Sequence, residues 1–193
     1  VYKLLPWYKA IEQVNAGLID GIIGIGDHDE YNILVTRHPL EYSYLHCYTR
    51  NDTKWIYNGI NSLSGKKIGS ILDYVHDSEI NRYILMNYLG NQNLFIIENG
   101  VRAMMDNLSN LIDEIIDVYI EDYYVMNYHI NKDNLEKKIR DAGRVNKEKI
   151  SIHIGISKLN PMANKYIKYI NDGIISLKAT GEYAALKRKY NLN

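Results

Sequence analysis

Cysteine occurs once in the 193 residues, at Cys47, which excludes an intrachain disulfide and a cysteine-based zinc site. Cys47 lies in the run Tyr44–Tyr48 and is expected as a small buried hydrophobe. Phenylalanine also occurs once, against 18 tyrosines, so many tyrosines must be core residues with a polar tip. Neither sign of charge is in excess: 23 Lys plus Arg balance 23 Asp plus Glu, a formal net charge of zero. That balance argues against nucleic acid and against an anionic membrane as partners. No apolar run approaches the roughly 18–20 residues of a bilayer span, so no membrane insertion is expected. No signal peptide is visible, and a chain that starts at Val1 does not report its compartment.

Chemical motifs are missing as well. No G-x-G-x-x-G opens a helix and no G-x-x-x-x-G-K-[ST] occurs, so nucleotide binding is not expected. The histidines (His28, His38, His46, His76, His129, His153) show no i, i+4 pairing and no H-E-x-x-H. No G-x-S-x-G elbow is present and nothing proposes a nucleophile. The chain does not read as an enzyme, and no catalytic residue, metal or cofactor is expected.

What is present begins with Pro6–Gly26, PWYKAIEQVNAGLIDGIIGIG. Trp7, Ala10, Ile11 and Val14 fall at i, i+3, i+4, i+7, the apolar stripe of a helix lying on a core. Pro6 suits the helix start and Gly17 its left-handed end. Asp20 then leads into GIIGIG, an apolar run short enough for a buried strand. Gly24 and Gly26 at its end let a ligand approach the backbone. About a hundred residues on, Val101, Met104, Met105, Leu108, Leu111 and Ile112 repeat the stripe, and Asp117 opens IDVYIED. AGLIDGIIG set over DEIIDVYIE gives the same grammar, with Glu114 in place of Gly17. Two copies suggest two similar α/β lobes.

Along the chain, Val1–Leu5 reads as a strand, Ile33–Val35 as a short extended piece, and Tyr42–Arg50 as an aromatic-rich strand. Strands are also expected in Gly65–Ile71, Asn93–Ile97 and Lys149–Ile156. Lys132–Arg140 reads as a surface helix, Pro161–Leu177 as a long helix and Ala184–Tyr190 as a short one. Alternation of strands and helices predicts a mostly parallel sheet in an α/β fold.

Two clusters could carry chemistry. Asp27–Glu30 (DHDE) packs three carboxylates and a histidine behind a glycine-ended strand. Adjacent loop residues rarely converge on one ion, so a solvated loop with ligand contact is expected in preference to a metal site. Glu121-Asp122 ends the second buried strand, where open α/β sheets bind ligands. Asp122 is equally suited to cap the helix that follows, and both roles can hold at once.

The ordered set PWYKAIEQVNAGLIDGIIG, HPLEYSYLHCYTRND, SLSGKKIGSILDY, IDVYIED and ISKLNPMANKYIKYINDGIISLKATGEYAALKRKY resembles the extracellular solute-binding proteins of family 3. These are type II periplasmic binding proteins, mostly of ABC importers for polar amino acids. The resemblance spans essentially the whole chain in the family's order, and the terminal S/T-G-E-Y helix pair is its most telling part.

The resemblance implies two lobes, each a mostly parallel sheet flanked by helices: residues 1–46 with 157–193, and residues 50–150. Crossover strands would lie near 45–50 and 152–157. It implies a periplasmic monomer that holds a small polar solute between its lobes and delivers it to a membrane permease. The alternative within the same fold is the ligand-sensing domain of a membrane receptor. Carried over by position, Asp122 would hold a ligand's amino group, and Asp73 and Tyr74 would face its carboxylate end. Gly24, Ile25, Gly26 and Asp27 match the ligand-contacting segment of the first lobe. The family's T-x-E-R segment is absent, and its arginine position holds Tyr31 or Asn32.

Three expectations follow. Val1–Leu5 matches the second strand of the family's first lobe, so the natural protein should have roughly 30–50 more N-terminal residues, about one strand and helix. Ligand should shift a hinge toward closure. Asp27, Asp29, Glu30, Asp73, Glu121 and Asp122 would meet the solute with no arginine in view, which favours a cationic or neutral polar solute over an acidic one.

Overall fold

The structure, a computed structural model, describes residues 1–27, 32–71 and 78–190. Its first elements are α1 (Trp7–Asn15), β1 (Gly21–Ile25), β2 (Ile33–Val35), β3 (Glu41–Ser43), β4 (Leu45–Arg50), β5 (Ile68–Ile71) and α2 (Ser78–Gly90). There follow β6 (Phe95–Glu98), α3 (Ala103–Ile112), β7 (Val118–Asp122), α4 (Tyr123–Lys132), β8 (Ile139–Arg144), β9 (Ile150–Ser157), α5 (Ala163–Ala179) and α6 (Glu182–Lys189). The chain divides into two compact units, Val1–Trp7 with Tyr44–Glu148, and Tyr8–Ser43 with Lys149–Asn193.

In the second of these units β9 is the organiser. Its eight residues pair with β1 along one side and with β2 and β3 along the other, antiparallel in every case. Ile22, Ile25, Ile33, Ile156 and Ile174 fill the core beneath α5. At the end of β1 the register with β9 shifts between Ile23 and Ile25, and Gly24 sits in that bulge with φ of 98°. Such a left-handed bulge position calls for glycine. Tyr183 fastens α6 to the sheet: its hydroxyl hydrogen-bonds the Leu40 carbonyl at 2.6 Å and the Glu41 carboxylate at 2.8 Å. Lys187 pairs with the same Glu41 at 2.8 Å. The S/T-G-E-Y signature is thus a docking device for the terminal helix.

The first unit holds a five-stranded sheet in the order β6-β5-β7-β4-β8. β5 runs parallel to β6 and β7, while β4 is antiparallel to β7 and β8. α3 and α4 cover it, and Tyr48, Leu108, Leu111, Ile116, Tyr119, Met126 and Ile139 form the core. Asn107, fully buried on α3, donates to the Ser70 carbonyl at 2.9 Å and so ties the helix to the end of β5. Gly69 makes room for it, because a Cβ there would lie 2.5 Å from Asn107 Oδ1. Cys47 is buried, as its run predicted.

The architecture is the mixed α/β one expected, with four differences in detail. The sheet of the second unit is antiparallel, because β1, β2 and β3 all take β9 as partner. A parallel neighbour would need its own crossover helix. Val1–Leu5 forms no strand: no described strand pairs with it, and Val1, Tyr2 and Leu4 are exposed. Tyr42–Arg50 is two strands, β3 and β4, belonging to different sheets. Lys132–Arg140 is not a helix. Asn134 takes φ of 55° and Leu135 N–H closes on Ile130 O at 2.9 Å, a left-handed stop that ends α4 and frees Ile139 to begin β8.

Candidate functional site

β5, β6 and β7 are parallel, so their carboxyl ends (Ile71, Glu98 and Asp122) lie along one edge of the five-stranded sheet. β8 ends at that edge with Arg144, and β4 begins there at Leu45, the register partner of Asp122. Open α/β sheets present their ligand sites along such an edge.

The sequence Val-Tyr-Ile-Glu-Asp makes the end of β7. Alternation puts Tyr119 and Glu121 on one face, and the Tyr119 hydroxyl donates to Glu121 Oε2. Glu121 is only 3% exposed, and its Oε1 accepts the Asp122 N–H at 2.8 Å. Burial pushes the Glu121 carboxyl up to about 7 and the adjacent Asp122 charge adds to this, while the two hydrogen bonds pull the other way. Asp122 caps α4: its Oδ1 accepts the N–H groups of Tyr124 at 2.8 Å and Val125 at 3.1 Å. The capping role foreseen for Asp122 is therefore filled.

Opposite Glu121 on β4 stands His46. Its Nδ1 is 2.7 Å from Asp141 Oδ2, and its ring lies 4.9 Å from that of Tyr123 at the start of α4. Burial raises the Asp141 carboxyl, but the His46 hydrogen bond, the Gly143 N–H and the charges of His46 and Arg140 outweigh it and hold the group below its usual range. Arg144 is the register partner of His46 on β8, with its guanidinium 3.7 Å from the centre of the Tyr44 ring. Its Nε donates to Asn146 O at 2.6 Å and its Nη2 to Lys147 O. Tyr48, fully buried, has a hydroxyl with no hydrogen-bond partner among the described residues.

Of the residues singled out from sequence, the structure joins Glu121 and Asp122 in one hydrogen-bonded unit. Gly24, Ile25, Gly26 and Asp27 lie at the end of β1 in the other unit, with Ile25 buried and Asp27 exposed. A Cβ added to Gly24 would meet nothing within 4 Å. Tyr31, Asp73 and Tyr74, together with Asp29 and Glu30, lie outside the described residues. Sequence reasoning missed Tyr44, His46, Asp141 and Arg144. Only the pairing of β4 with β7 and β8 brings them to Glu121, although the aromatic run Tyr44–Tyr48 was a signal worth following. Among the described residues no group of three or more His, Cys, Asp or Glu could hold a metal, and no helix is long and apolar enough to cross a membrane.

No family model and no curated protein matches the sequence. Solved structures do match. A histidine kinase sensor domain with similarity to periplasmic binding proteins is 18% identical with a TM-score of 0.74, over 95% of this chain and 75% of that one. An ancestral arginine-binding protein bound to glutamine is 16% identical with a TM-score of 0.76, over 97% and 77% of the two chains. An arginine 3rd transport system periplasmic binding protein from Legionella pneumophila is 24% identical with a TM-score of 0.66, over 93% and 75%. The fold is that of the periplasmic binding proteins, and these neighbours are binding proteins and a sensor domain.

Proposed function

We propose that this protein is a periplasmic solute-binding protein that captures a small cationic or neutral polar solute, an amino acid or related amine, for the permease of an ABC importer. One observation carries the reading: two adjacent carboxylates, Glu121 and Asp122, joined by the Asp122 N–H donating to Glu121 Oε1, close a strand at the edge where open α/β sheets take ligands. An acidic solute there would meet like charge at close range, which costs of order kcal/mol in a partly dry site. Asp122 would pair with the solute's positive group while continuing to cap α4. Gly24, Ile25, Gly26, Asp27, Tyr31, Asp73 and Tyr74, singled out from the sequence, are the further contacts proposed for the solute. The lobes proposed from the sequence are residues 1–46 with 157–193 and residues 50–150. Neighbours bound to glutamine, arginine and glutamate support an amino-acid solute, and the preference for a cationic or neutral one rests on Glu121 and Asp122. Native mass spectrometry of the purified protein tests it: a retained cationic or neutral polar metabolite is expected, and a retained dicarboxylate would refute it.

A second reading, the sensing domain of a membrane receptor, is favoured by the likeness to the histidine kinase sensor domain. Deleting the gene separates the two. The importer reading predicts lost uptake of the solute, and the sensor reading predicts intact uptake with a lost transcriptional response.

A further inference from the structure

We propose that the ligand-facing end of β7 is controlled by a single proton on Glu121, which sets both the charge behind Asp122 and the hold on the Asp122 amide. The proposal rests on the reading that solute binds at this strand end.

The geometry is a relay of accepted hydrogen bonds. Tyr119 O–H and Asp122 N–H both donate to the Glu121 carboxylate, and Asp122 in turn accepts two amides of α4. A proton on Glu121 removes one unit of negative charge from directly behind Asp122. It also turns one acceptor oxygen into a donor, so the pair of bonds cannot both persist unchanged.

The surroundings leave this proton sensitive to a ligand. On β7 the neighbours are Tyr119 and Asp122. β4 contributes His46, directly across from Glu121, and Tyr48, across from Tyr119. β8 contributes Asp141, bound to His46, and Arg144, in register with His46. Tyr123 comes from α4 against His46. On α3, Asp106 pairs with Arg102 at 3.7 Å, and β5 offers only Ile68, Gly69, Ser70 and Ile71. Among the described residues no Lys, Arg or His forms an ion pair with Glu121, and the groups that favour its charge there are the Tyr119 and Asp122 donors. Burial already lifts the carboxyl to about 7. A bound cation would add a positive charge beside the carboxylate and favour the ionised form, so cation capture should expel this proton, and proton uptake should loosen the cation.

The test uses the full chain and L-arginine as probe, from about pH 5.5 to about pH 8.5. The Asp122 amide is followed by nitrogen–proton NMR, and arginine binding by calorimetry in two buffers of different ionisation enthalpy. The Asp122 amide should titrate near neutrality in the wild type and be silent in Glu121→Gln. Arginine should bind several-fold more tightly at the upper pH with proton release, and Glu121→Gln should abolish that dependence. If Glu121→Gln does not fold, Tyr119→Phe serves: losing a donor to the carboxylate should move the midpoint upward. An Asp122 amide that does not titrate in the wild type, or arginine affinity that is flat with pH, overturns the proposal. An amide that titrates while arginine binds at no pH upholds the proton control and overturns the solute reading instead.

Discussion

Gly17 and Glu114 hold the same backbone position in two copies of one helix–strand unit: each is the left-handed residue that closes its helix, at φ of 70° and 63°. The following amide returns to the third residue from the helix end in both, Leu18 to Gln13 and Ile115 to Asn110, at 2.9 Å each. The position suits glycine, and Glu114 carries a left-handed penalty of about 1–2 kcal/mol, part of which glycine's extra unfolded-state freedom would return. Glu114→Gly should therefore stabilise by about 0.5–1 kcal/mol, and Gly17→Ala should destabilise by about 1–2 kcal/mol, in urea unfolding. A Cβ added at Gly17 would also stand 3.1 Å from Leu159 Cβ. Equal losses from both substitutions would contradict the equivalence.

Gly69 is the packing counterpart. Its Cβ would meet Asn107 Oδ1 and Ile116 Cδ1 at 2.5 Å, so Gly69→Ala should cost about 1–3 kcal/mol in the same measurement. A neutral result would show that α3 can step back from β5.

Removing the Tyr183 hydroxyl isolates the docking of the last helix. Tyr183→Phe deprives the Leu40 carbonyl and the Glu41 carboxylate of a donor, a loss of about 1–2 kcal/mol. Hydrogen exchange should show α6 opening more readily while the five-stranded sheet keeps its protection. Unchanged exchange in α6 would mean that Lys187 alone holds it.

Stability should fall as pH rises through the range set by Glu121. Its folded carboxyl titrates at about 7 against 4.5 for the free group, so the protonated folded form is the favoured one. That contribution is complete below about pH 4.5 and lost by about pH 7, roughly 3 kcal/mol in all. Asp141, held low, acts in the opposite sense, contributing above its unfolded value of 3.8 and losing that as pH falls. Glu121→Gln should remove the decline between pH 4.5 and 7, read as denaturation midpoints against pH. A decline that persists in the variant would assign it elsewhere.

The order of helices and strands was largely legible because it rests on local periodicity and on end signals such as Gly17. Strand partners were not, because pairing is a property of the assembled sheet. Nothing in Tyr42–Arg50 marks Tyr44 as the residue where the chain leaves β9 for β7 and β8. Asn134 was a readable stop that the surrounding charges hid. At the site, Asp122 declared itself through its place after a buried strand and before a helix. His46 and Asp141, 95 residues apart, could be joined only by register.

Titration calorimetry of arginine, glutamine, a polyamine, glutamate and aspartate into the full chain and Asp122→Asn measures directly the sign of charge that the Asp122 end of β7 accepts. Asparagine caps a helix as well as aspartate, so the variant removes the charge and keeps α4. Arginine, glutamine or the polyamine should bind the wild type, and Asp122→Asn should weaken that binding by about tenfold or more with an unchanged melting temperature. Tight binding of glutamate or aspartate, undiminished in Asp122→Asn, would contradict the account.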